Sequence, residues 1–137
     1  MQYVTTAALA RVVNPIVDPP WPERGDVSRQ RIKECLDKGK LSKHSYQSMR
    51  CRTRGVKSTY HAQRIAYLVR FKDSTPLELD LGIPVLGYYP DSILVDGHHR
   101  LAAAIYRKDL WVPVIWGGQD DEFERLFFLT RKTLTRS

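Results

Sequence analysis

The sequence predicts a mixed α/β domain, and three observations carry the prediction. Strand-like and helix-like stretches alternate along the chain. "TPLELDLG" sets Leu77, Leu79 and Leu81 against Glu78 and Asp80, the period of a half-buried strand. "SILVDGHHRLAAAIYRK" reads as a strand, a glycine turn and a helix. The expected architecture is one domain, a small mixed sheet flanked by helices.

Each element follows from its own stretch. Residues 1–26 read as an extended arm, because "NPIVDPPWPERG" carries four prolines; Trp21 is expected to dock on the body. Residues 27–137 read as the folded domain. "DVSRQRIKECLDKG" predicts a helix with Asp26 or Ser28 as cap, Ile32, Cys35 and Leu36 on one face, and Gly39 as its stop. Residues 40–57 are polar and basic with a weak period, and read as a loop with at most a helical turn. Ser58 to Lys72 is a second helix, capped by Ser58 or Thr59, with Ile65, Leu68 and Val69 on a stripe. After the Leu77–Leu81 strand, "IPVLGYY" and "SILVD" are two further apolar segments, parted by a turn at Pro90 and Asp91. In the next helix Leu101, Ala104 and Ile105 face the core. "LWVPVIWGG" is a strand that Pro113 assigns to an edge or a bulge. "DDEFERLFFLTRK" is a last helix, acidic in its first turn and basic in its last, with Phe123, Leu126 and Phe127 as its stripe.

The 137 residues are 42% apolar, enough for one core. No apolar run approaches the roughly 18 residues of a membrane span, and the first residues are too weakly apolar for a secretory signal. Cys35 and Cys51 stand in no metal or redox spacing, which points to a reducing cytoplasm. The net charge of +7 is unevenly spread: Lys38 to Lys72 holds ten basic residues and no acid, and the rest of the chain is net acidic. Such a stretch fits nucleic acid, nucleotide phosphate or an acidic protein partner; its plain alternative is a solvated surface.

The motif "DGHHR" raises a question. A helix start carries partial positive charge, so Arg100 there costs roughly 0.3–1 kcal/mol unless offset. A bound anion offsets it: free N–H groups at the helix start hold phosphate, Gly97 allows close approach, and His98, His99 and Arg100 add donors. The alternative is internal, with neutral buried histidines and Arg100 paired to Asp96. His98 or His99 would serve as general acid or base, since imidazole titrates near neutral pH. Asp96 would orient a histidine, bind Mg²⁺ through water, or act only as a turn residue. His61 and Arg64 share a helix face and either point at the phosphates or are solvated. Glu78 and Asp80 read as exposed strand carboxylates. The histidine spacing argues against a transition-metal site.

These residues resemble a known family. "ILVDGHHRLAAAIYRKDLWVPVIW", with the helix and strand before it, is similar to the core of the ParB/sulfiredoxin-like superfamily over about residues 58–117. The resemblance implies that fold and a nucleoside phosphate held at Gly97, His98, His99 and Arg100. ParB binds and hydrolyses CTP, with arginine typical where this chain has His99. Sulfiredoxin has its catalytic cysteine at the position of His98, so its chemistry is not expected here. A free-serine kinase branch has an Asp-Gly-x-His-Arg motif that Asp96 to Arg100 match; other small members are nucleases or ATPases, often of plasmids and phages. ParB has further domains downstream that this sequence does not show.

The leading expectation is therefore phosphoryl chemistry on ATP or another nucleotide, with Mg²⁺ as an optional companion. The competing expectation is a non-catalytic module in which Arg50, Arg52, Arg54, Lys57 and Arg70, with Tyr46 and Tyr60, grip DNA. The third is a small inhibitor or adaptor that sets its basic face against an acidic protein. No membrane is expected as a partner, and the oligomeric state is left open.

Overall fold

The computed structural model describes residues 2–127. The fold is a mixed α/β domain. The described chain runs β1 (Gln2–Thr5), α1 (Thr6–Val12), α2 (Arg29–Lys38), α3 (Tyr46–Arg52), α4 (Tyr60–Arg70), β2 (Leu77–Asp80), a 3-10 turn (Pro84–Leu86), β3 (Leu94–Asp96), α5 (His98–Arg107), β4 (Trp111–Gly117) and α6 (Asp120–Phe127). The sheet order is β1-β4-β2-β3. β4 runs antiparallel to β1 and parallel to β2, and β2 runs antiparallel to β3.

α5 is the centre of the packing. Its Leu101 and Ala104 join Leu77, Leu79, Leu94 and Val114 of the sheet in one core, with Leu9 of α1 and Phe123 of α6. Its Ala102 and Ala103 face the other way, into a second core with Ile32 and Cys35 of α2 and Ala62, Ile65 and Ala66 of α4. A helix covered on both sides needs small side chains where neighbours approach, and the alanine run supplies them.

Several local expectations hold. Ser28 caps α2 by accepting from the Arg31 amide, and Gly39 ends it in the left-handed conformation. Leu77 and Leu79 are buried and Glu78 is exposed. Four expectations are corrected. Residues 2–12 are not arm: β1 pairs with β4, and Thr5 caps α1 through the Ala8 amide. Residues 46–52 are a helix, started by Ser45, none of whose residues is buried. The "IPVLGYY" segment forms a 3-10 turn that leaves Val85, Leu86 and Tyr89 exposed. Pro113 lies in an interior strand and pairs with Tyr3; β2 begins its pairing at Val114, so the missing N–H falls beyond the end of β2. The basic last turn expected of the final helix lies outside the described residues.

Candidate functional site

The strand, turn and helix of the motif are present as β3, Gly97 and α5. Gly97 has φ +109°, a conformation that side chains rarely adopt, and a Cβ there would meet Leu77 Cδ2 at 2.5 Å. As the N-cap of α5 it brings no side-chain oxygen to the first-turn amides. By contrast α1, α2 and α3 each start on a Thr or Ser whose hydroxyl accepts from such an amide. The start of α5 opens into a cleft of about 570 Å³, lined by Gly97, His98, His99 and Arg100 and also by Trp21, Tyr46 and Arg64.

The cation that prompted the question is balanced internally. Arg100 Nη2 donates to Asp96 Oδ2 at 3.3 Å and Nη1 to the Thr75 carbonyl at 3.2 Å. Only 14% of its side chain is exposed, against 69% for Asp96. The guanidinium still has donors beyond those two.

The histidines meet in one cluster. His61, on α4 and 1% exposed, faces His99 with Nδ1 2.8 Å from His99 Nε2. Its Nε2 lies 2.9 Å from Glu23 Oε1. Tyr46 of α3 donates its hydroxyl to the same carboxylate. Trp21 stacks on both rings, 4.4 Å from His61 and 4.3 Å from His99 between centroids. Tyr60 meets both rings edge-on and donates to the His44 carbonyl.

Burial makes this cluster neutral. Burial is the main force that lowers the His61 pKa, against a weaker upward pull from Glu23. Burial lowers His98 too, against the charge of Asp96. His99 is pushed down to about 2, by burial first and then by His61, Arg64 and His98. Glu23 is pushed up by burial but pulled lower overall, by hydrogen bonds from His61, Tyr46 and its own backbone. Burial thus moves His98 away from neutral pH and His99 far from it, against the titration for which the two were singled out.

Other candidates fall differently. Arg64 lines the cleft, but donates to the Ser42 and Lys43 carbonyls and lies over Tyr67. Arg50, Arg52, Arg54 and Lys57 are exposed on α3 and the loop after it. Arg50 lies over the Tyr46 ring and Arg52 donates to Ser48. Arg70 does not join them. It ends α4, about 15 Å along that helix from its start, and donates to the Leu36 carbonyl of α2. Asp80 accepts from the Gly82 amide and the Tyr88 hydroxyl, away from the cleft. Among the described residues no group of three or more His, Cys, Asp or Glu is placed to hold a metal ion, and no helix is long and apolar enough to cross a membrane.

Sequence reasoning missed Glu23. It sits in the Pro-rich segment, and its only signal is Gly25, whose missing Cβ lets the segment press against the Ser58 carbonyl at the start of α4. Compared with known proteins, the chain matches no family model, no curated protein and no solved structure.

Proposed function

We propose that the cleft binds a nucleoside phosphate, ATP or a relative, and hydrolyses it or transfers its phosphate. The observation that supports this best is the bare start of α5. Its first-turn residues line a cleft whose volume falls within the range of about 300–1,000 Å³ typical of small-ligand sites. Amides at a helix start favour an anion, and Gly97 supplies the left-handed turn that leads into them. Arg100 adds its remaining donors to the phosphates, and Asp96 holds that guanidinium in place. Mg²⁺ arrives with the nucleotide phosphates and helps neutralise them. The motif's likeness to the ParB/sulfiredoxin-like core points the same way.

The test is calorimetric titration with ATP, ADP, CTP and GTP in the presence of Mg²⁺. At least one nucleotide is expected to bind the wild type. Arg100→Ala is expected to weaken it by more than about tenfold, since a charge-assisted hydrogen bond is worth roughly 1.5–3 kcal/mol. No binding to any of the four overturns the reading.

A second reading has its own observation. Arg50, Arg52, Arg54 and Lys57 are exposed and make no ion pair among the described residues. This face suits a nucleic-acid backbone, with an acidic protein as the other outcome. Binding of single-stranded DNA that falls steeply with salt, and is lost on charge reversal of Arg50, Arg52 and Arg54, supports it.

A further inference from the structure

The buried cluster beside the cleft has an order that the binding of phosphate does not require. Glu23 accepts from the Tyr46 hydroxyl, and its carboxylate is kept ionised. An ionised carboxylate takes a proton-bearing nitrogen as partner, so His61 carries its proton on Nε2. A neutral His61 then presents a lone pair at Nδ1, and His99 must donate to it from Nε2. A neutral His99 is left with its lone pair on Nδ1. Trp21 lies nearly parallel to both rings, at 13° and 16°, and covers the bond between them. Hydrogen bonds thus fix the tautomer of each ring, and His99 lines the cleft at the start of α5.

We propose that Glu23, Tyr46 and His61 form a positioning chain that makes His99 the proton acceptor for a water molecule attacking a phosphate bound in the cleft. The inference rests on the nucleotide reading of that cleft. In the step, the water oxygen bonds to phosphorus while one of its O–H bonds breaks. That proton goes to His99 Nδ1. The bond from phosphorus to the leaving nucleotide breaks, and its electron pair stays on the leaving oxygen. His99 later returns the proton to solvent. The cation formed on His99 passes through two hydrogen bonds to the Glu23 carboxylate, which stabilises it. In the free protein burial, His61, Arg64 and His98 oppose that cation, while Tyr60 offers only a ring edge. An arriving phosphate adds negative charge beside the ring and favours the proton. The bound phosphate therefore strengthens His99 as acceptor of the proton that the attacking water releases.

The chain is tested in two independent ways. Long-range proton–nitrogen NMR of the free protein reads the ring tautomers directly. Nε2–H on both His61 and His99 is expected; a proton on His99 Nδ1, or a charged ring at neutral pH, overturns the chain. Phosphate release from ATP with Mg²⁺, followed between about pH 5 and 9, reads the base in action. Glu23→Gln is expected to lower kcat more than about tenfold and to move the acid limb of the pH profile to lower pH, with KM changed less than about threefold. No phosphate release by wild type that binds ATP, or an unchanged kcat and pH profile in Glu23→Gln, overturns the chain. Should Glu23→Gln not fold, Tyr46→Phe removes only the hydroxyl that holds the carboxylate, and the same comparison applies. If ATP does not bind the wild type, the nucleotide reading falls, and the tautomers decide the chain by themselves.

Discussion

Two neighbouring regions of the molecule handle ionisable groups in opposite ways. On α3 and the loop after it, Arg50, Arg52, Arg54 and Lys57 are exposed and permanently charged, and α3 has no buried residue. At the cleft wall and in the cluster beside it, His61, His98 and His99 are buried or half-buried and neutral, and His61 and His99 are locked to each other, to Glu23 and beneath Trp21. The first region dominates the net charge. The second holds the preorganised geometry. Charge density marks where a polyanion would be attracted; fixed donors and acceptors mark where a reaction would be directed.

Mutations sharpen this contrast, and the largest effect belongs to the buried cluster beside the cleft. His61→Ala would remove a ring that is 1% exposed, leaving Glu23 and His99 without their shared partner and Trp21 without half its support. The expected loss is about 3 kcal/mol of stability in chemical denaturation. Gly97→Ala would force a side chain to φ +109° and against Leu77; about 2 kcal/mol is expected, with nucleotide binding lost in any protein that folds.

The pH dependence comes next. The folded pKa of His99 lies at about 2, far below its unfolded value of about 6.5. Below pH 6.5 the unfolded chain therefore binds more protons, and stability falls as pH falls. The slope from His99 is about 1.4 kcal/mol per pH unit between roughly pH 6 and 4. His99→Gln is expected to flatten urea-derived stability over that window; an unchanged slope would show that His99 charges freely in the fold. The smallest effect belongs to α3. Charge reversal of Arg50, Arg52 or Arg54 is expected to alter stability by less than about 0.5 kcal/mol each. A large loss at any of them would break the contrast.

Much of the fold was legible because its signals are local. Ser28 and Gly39 bracket α2, the leucine alternation marks β2, and Gly97 separates β3 from α5. What escaped is non-local or lacks an apolar stripe. β1 is a strand only because β4 lies beside it, and four prolines downstream made the whole segment look extended. Thr5 was a usable cap signal for α1. α3 buries nothing, so its period is weak, and Ser45 was its one marker. Pro113 suggests an edge or a bulge because the sequence cannot say where a neighbouring strand stops. Of the site, residues 96–100 and His61 were legible as chemistry. Their assembly was not: His61 and His99 meet across two helices, and Glu23 reaches them from a segment with no periodicity at all.

The pairing of β1 with β4 also sets a timetable. Gln2 leaves the ribosome 112 residues before its partner Val114. Residues 2–12 must therefore wait, with Val4 and Leu9 uncovered, until α5 and β4 have been made. Glu23 and Trp21 wait in the same way for His99. The parts read first are completed last, so the cleft is assembled only after translation has passed β4.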